Sequence, residues 1–293
     1  MARRLPRERA WASRLQSAFL AALMVAITML AAWRLMGAWS VVLAATLGVM
    51  AALTLERSSL PRRLRNARPL SLPDAPELHG LVDALAERAG LRRPPRLYLI
   101  SSPAPNAATV GTRDDAAILL TPGLVRGLTE RELAGVLAHE ISHVRNNDLR
   151  LFGFTEVVRR MAVLTSQIGW LLVLFSLPLA LLGQAAVPFG TLLLFVAAPA
   201  GAHLLQLAIL RSRELAADLG AAELTGDPRG LASALRRIEV TNRWVLRALL
   251  PVPVPEEPGL ARTHPATAER IRRLEELVYA TPWGRPLTSR ACV

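Results

Sequence analysis

The sequence predicts a mainly α-helical membrane protein with four transmembrane helices and a polar domain that carries a small antiparallel β-sheet. Three observations support this. Apolar residues make up 52% of the 293-residue chain, and mean hydropathy is +0.31. With glycine counted too, the apolar share exceeds the about 45–50% usual for soluble domains. The charge-free residues are also concentrated in long runs, and Arg clusters flank those runs.

The first run, Leu15 to Trp33, has 19 residues, and the second, Leu35 to Leu55, has 21. Each suits one crossing, since about 20 apolar residues span a bilayer. The first run is long for a cleaved signal peptide, and another span follows at once. The third run, Met161 to Leu210, has 50 residues. As one helix it would be about 75 Å long, far more than a bilayer needs. Gly183, Gln184 and Pro188 break it, so it reads as spans over 161–182 and 188–210. The resulting organisation is a first hairpin at 1–56, a polar segment at 57–160, a second hairpin at 161–210 and a polar segment at 211–293.

Arginine sets the orientation. Arg3, Arg4, Arg7, Arg9 and Arg14 precede span one, and Arg57, Arg62, Arg63, Arg65 and Arg68 follow span two. Arg159 and Arg160 precede span three; Arg211 and Arg213 follow span four. The positive-inside rule puts both termini and the polar region 56–160 of this multi-pass protein in the cytoplasm. Much of the formal charge of +12 is thereby membrane anchoring. No basic helix with interleaved aromatics is present, so nucleic-acid binding is not expected.

Residues 57–76 form an Arg- and Pro-rich linker. Glu77 to Ala89 has Leu78, Leu81, Val82 and Leu85 on one helical face, and Gly90 ends it. Arg96 to Ile100 and Ala116 to Thr121 read as strands of an antiparallel sheet, with Asn106 to Val110 as its edge strand. Thr129 and Glu132 form a capping box that starts a helix running from Glu130 to about Asn147. Beyond span four, Gly230 to Leu250 and Pro265 to Ala280 read as helices separated by a Pro-rich break.

The chemistry sits on the capped helix, which carries His139-Glu140-Ile141-Ser142-His143. Two histidines four apart project from one face and suit one zinc ion. Glu140 lies in the apolar stripe between Val136 and Val144, where burying a carboxylate is costly. A metal site gives it a purpose, because zinc acidifies water and a neighbouring carboxylate can take the proton. A third ligand must come from elsewhere. His79, His203 and His264 are candidates; the best acidic one is Glu214, four residues before Asp218 and just past span four. Cys292 is the single cysteine, so a disulfide framework and a Cys-based zinc cluster are excluded. The chain has no lysine, so it lacks P-loop and Schiff-base chemistry.

These pieces together resemble the HtpX-type family of membrane-bound zinc peptidases, which includes the CAAX prenyl endopeptidases. The matching residues are His139 to His143, Asn147-Asp148, Ser212 to Asp218, Pro105-Asn106-Ala107, and Thr263-His264-Pro265 with Arg270. The resemblance implies a zincin-like metallopeptidase domain with Zn2+ on His139, His143 and Glu214, and Glu140 as catalytic base. It further implies that Asp218 orients a ligand histidine, that His264 or Arg270 lies near the oxyanion, and that Asn106-Ala107 pairs with the substrate backbone. Family members commonly have an aromatic residue where this chain has Ala108. The implied role is quality control of misfolded or damaged membrane proteins in a bacterium, with those proteins and the lipid bilayer as partners. Prenyl-protein processing and a non-catalytic zinc sensor or scaffold are the alternatives. Zinc binding alone has no need of Glu140.

Overall fold

The computed structural model describes residues 4–39, 67–102, 104–183, 188–249 and 267–280. The chain divides into two compact units. One comprises Arg14–Arg57 and Leu151–Leu210, and the other comprises Met1–Ser13, Ser58–Arg150 and Arg211–Val293.

In the first unit lie the apolar stretches of α1 (Arg4–Met36), α5 (Asp148–Leu181) and α6 (Phe189–Thr225). Each of these helices is long and apolar enough to cross a membrane. Met24, Val158, Ala162 and Ala202 pack together between them. Leu164, Leu171, Leu172, Leu174 and Phe175 are exposed, as lipid-facing side chains would be. The expected second span, Leu35 to Leu55, lies mostly outside the described residues. Helices α5 and α6 are longer than the charge-free runs. Nothing between Asp148 and Met161, or between Leu210 and Thr225, breaks a helix, so polar residues extend both.

The second unit holds a four-stranded sheet of β1 (Ala67–Pro69), β2 (Arg96–Ile100), β3 (Ala107–Gly111) and β4 (Ala116–Leu120), in the order β1-β2-β4-β3. This corrects the expected antiparallel sheet. The outer pairs are antiparallel, but β2 and β4 run parallel, with Tyr98 opposite Leu119. The connection after β2 carries the chain to the far edge before β3 begins. A turn closed between Thr112 and Asp115 then folds β4 back into the space between β2 and β3. The central strand β4 is buried along its whole length, which explains its unbroken apolar sequence. The short β1 falls in the segment expected to be a linker; its Pro69 is tolerated because the strand lies at an edge.

Four helices of this unit follow the expected pattern closely: α2 (Pro76–Arg88), α4 (Glu130–Asn146), α7 (Pro228–Leu249) and α8 (Thr267–Ala280); the short α3 (Pro122–Gly127), capped by Thr121, was not expected. The capping box is formed. The Thr129 amide donates to Glu132 Oε2 at 2.9 Å, and the Thr129 hydroxyl accepts from the Glu132 amide at 3.4 Å. Every residue of α4 from Glu132 to Val144 is buried, so it is the central helix of the unit. Leu137 and Ile141 join Leu85, Leu120, Leu124, Leu224, Leu231 and Leu274 in the core. Gly135 admits α7, since a methyl group there would lie 2.8 Å from the Leu231 amide nitrogen.

Candidate metal centre

Helix α4 ends at Asn147, whose φ of 60° and ψ of 31° are left-handed. Asn tolerates this conformation better than most residues, and the turn sets Asp148 beside the last turn of α4. Across from it, Gly220 of α6 meets Ser142 of α4 so closely that an added methyl would overlap the serine hydroxyl. That close approach brings the polar end of α6, with Glu214, against the two histidines.

His139 and His143 turn their Nε2 atoms towards each other at 3.2 Å. Glu214 completes the cluster, with Oε2 3.6 Å from His139 Nε2 and Oε1 3.5 Å from His143 Nε2. A tetrahedral ion with bonds of about 2.0–2.1 Å has ligand–ligand edges of about 3.3 Å. The three donors therefore fit one such ion. The other ring nitrogens explain the orientation: His139 Nδ1 lies 3.0 Å from Asp218 Oδ1, and His143 Nδ1 lies 2.9 Å from Asp148 Oδ2. A carboxylate on Nδ1 fixes the tautomer and leaves the Nε2 lone pair for a metal. Two lone pairs 3.2 Å apart repel unless a cation lies between them.

Each of those carboxylates is held by an arginine. Arg270 donates from Nε to Asp218 Oδ2 at 2.8 Å and from Nη2 to Oδ1 at 2.6 Å, with Nη1 3.3 Å from Glu214 Oε2. Arg213 donates from Nε to Asp148 Oδ1 at 2.7 Å and from Nη1 to the Ser13 hydroxyl at 3.3 Å. Glu140, Asp148, Glu214 and Asp218 oppose Arg213 and Arg270, all of them buried. With neutral histidines the cluster carries two net negative charges, which suits a divalent cation.

The same charge shows in the proton affinities. Burial disfavours the His143 cation, but Asp148 and Glu214 outweigh it and the pKa is pushed up to about 10. His139 is also raised: burial opposes this, and Asp218 and Glu214 prevail. The Arg270 guanidinium is held more firmly protonated than usual; burial opposes, and Asp218 and Glu214 dominate.

Glu140 accepts a hydrogen bond of 2.6 Å at Oε2 from the Thr109 hydroxyl of β3. The backbone of Asn106, expected to pair with substrate, is used internally. Its carbonyl accepts from the Thr121 amide at 3.1 Å, and its amide donates to the Thr121 hydroxyl at 2.9 Å. Asn106 thus anchors the start of the strand against Thr121. His264 lies outside the described residues. The structure brings His139, Glu140, His143, Glu214, Asp218 and Arg270 together. It adds three residues that were not expected in the site: Asp148, Arg213, which was assigned only to membrane orientation, and Thr109. Asp148 was visible five residues after His143, and Arg213 adjoins Glu214. The role of Thr109 needed the strand's position.

A His-Glu-x-x-His helix completed by a glutamate from a second helix is the ligand set of a His2Glu metallopeptidase. Residues 73–278 match Peptidase family M48, and the chain belongs to that family. It is 36% identical over 230 residues to a Protease HtpX homolog of Methylibium petroleiphilum, covering 74% of this chain and 80% of that one. A Protease HtpX homolog of Acaryochloris marina is 42% identical over 219 residues, covering 69% and 72%. Among solved structures, S. mikatae Ste24p matches with a TM-score of 0.50 at 18% identity, over 90% of this chain and 66% of that chain. The fold is therefore shared with Ste24p, and the chain is a multi-pass membrane metallopeptidase.

Proposed function

We propose that this chain is a zinc-dependent endopeptidase of a bacterial inner membrane. Its site faces the cytoplasm, and it cleaves unfolded or damaged membrane proteins. The observation that carries this reading is the spacing of His139, His143 and Glu214 at tetrahedral edges, with Glu140 on the same helix. The arginine distribution supports the orientation, and the Protease HtpX relatives support the quality-control role.

His139, His143 and Glu214 would hold the ion, which supplies Lewis-acid polarisation of a carbonyl and acidifies water. Asp218 and Asp148 keep both imidazoles aimed. The edge of β3 takes an extended peptide as an added strand. Glu140 takes a proton from water as the water oxygen bonds to the scissile carbonyl carbon and the carbonyl π pair moves onto its oxygen. It returns that proton to the amide nitrogen as the C–N bond breaks. Arg270 positions Asp218 and Glu214, and either its field or His264 favours negative charge on the carbonyl oxygen.

The test is cleavage of an unfolded protein by the full chain in detergent with zinc, beside Glu140→Gln. The variant should bind zinc and lose about 10²- to 10⁴-fold in kcat. Equal cleavage by both proteins would refute the assignment of the base. Cleavage confined to prenylated C-terminal peptides would replace the quality-control role with prenyl-protein processing.

A further inference from the structure

We infer that Thr109 is a positioning residue that couples the sheet edge receiving substrate to the base Glu140; this rests on the reading of Glu140 given above. Two observations meet at this residue. Its hydroxyl donates to Glu140 Oε2 at 2.6 Å, and both groups are buried. Its backbone lies on β3, which with β1 is an edge strand of the sheet among the described residues.

The register decides where that backbone points. Opposite residues of an antiparallel pair alternate between exchanging both hydrogen bonds and exchanging none. Asn106 accepts from Thr121, so it is a bonded position. Ala107 pairs with Leu120, Ala108 with Leu119, Thr109 with Ile118 and Val110 with Ala117. The bonded positions are therefore Asn106, Ala108 and Val110. The amides and carbonyls of Ala107 and Thr109 point away from β4, towards the side of β3 that pairs with no other strand among the described residues. Side chains alternate with the same period. Ala107 packs on the core beside α4, and Val110 lies in the cluster on the opposite face. Thr109 therefore presents its main chain to an incoming strand and its hydroxyl to Glu140.

The hydroxyl has one hydrogen, and the carboxylate has two oxygens. With Thr109 on Oε2, the carboxylate plane is fixed, and Oε1 is the oxygen that takes the proton from water. Thr109 keeps its own proton throughout. A peptide paired along the edge holds β3 in register, which holds the hydroxyl and hence the base. Ala108 has only a methyl group, so main-chain pairing beside it carries much of the grip on substrate.

The test compares Thr109→Val, Thr109→Ser and Glu140→Gln with wild type in detergent. Valine keeps the branched shape suited to a strand and loses the hydroxyl; serine keeps the hydroxyl. Thr109→Val should lose about tenfold in kcat, the size of other such supporting contacts, with KM and zinc stoichiometry unchanged. Thr109→Ser should return to within about threefold of wild type. In the Glu140→Gln background, Thr109→Val should cause no further loss. Wild-type kcat in Thr109→Val, or failure of serine to restore it, would overturn the coupling even though Glu140→Gln is inactive. Full activity in Glu140→Gln would instead overturn the reading of the base. If valine lowers the thermal midpoint or zinc content, the Thr109→Ser rescue and the Glu140→Gln double variant decide between positioning and folding.

Discussion

Asp148 offers the sharpest test of how the metal centre is held. Its two carboxylate oxygens serve different partners: Oδ2 lies 2.9 Å from His143 Nδ1, and Oδ1 accepts from Arg213 Nε at 2.7 Å. The group is 1% exposed and Arg213 is 3% exposed, so water replaces neither contact. Asp148→Ala should therefore have two separable effects. Loss of the partner behind a ligand histidine costs about 10- to 100-fold in metal affinity. That is about 1.4–2.7 kcal/mol. The Arg213 guanidinium is also left buried without its counter-charge, which costs about 3–5 kcal/mol of folding stability. Adding Arg213→Met should restore most of the stability and none of the zinc affinity, because the methionine removes the stranded charge but cannot orient His143. Zinc affinity is measured by competition with a chromophoric chelator, and stability by thermal unfolding in detergent. Zinc affinity in Asp148→Ala within threefold of wild type would refute the argument. So would recovery of affinity in the double variant.

Two further outcomes are expected. Gly220→Ala should push α6 away from α4, because the methyl would overlap Ser142 Oγ and lie 2.8 Å from Arg145 Nη2. Overpacking of this kind costs about 1–3 kcal/mol, and the shift of Glu214 should weaken zinc binding in the same titration. Ser142→Ala in that background should recover part of both losses. In the metal-free protein, His143 is raised from 6.5 to about 10, so its contribution to stability is fully present below pH 6.5 and is lost as pH rises through 10. Zinc must displace that proton, so zinc affinity should rise with pH over the same interval. Calorimetry in two buffers of different ionisation enthalpy should show proton release on zinc binding at pH 7. The absence of release would mean that His143 is already neutral.

How legible each part was depends on the range of the forces that set it. Helix α4 could be read to within a residue, because Thr129, Glu132 and the apolar periodicity act within a few positions of one another. Three of the four expected spans coincide with apolar helices among the described residues, and they were readable because bilayer thickness fixes the length of a charge-free run. His139 and His143 were readable as a pair because helical pitch alone places residues four apart on one face. The sheet went differently. The edge position of Asn106 to Val110 was visible, but the parallel pairing of β2 and β4 depends on where a connection crosses, and no local preference encodes that.

The sequence by itself determined which residues could carry the chemistry: two histidines, a base, and an acidic pair at Glu214 and Asp218. It also determined that the chain enters a membrane. Only the tertiary structure decided how these residues are held. It set Asp148 and Arg213 behind one histidine and Asp218 and Arg270 behind the other. It tied Asn106 to Thr121 and brought the Thr109 hydroxyl to Glu140 from a strand 31 residues earlier in sequence. Periodicity and capping act through neighbouring residues along the chain. A buried charge needs its counter-charge within about 3 Å. That distance is met here by segments joined only through packing, such as Gly220 against Ser142, which the sequence does not display until the helices meet.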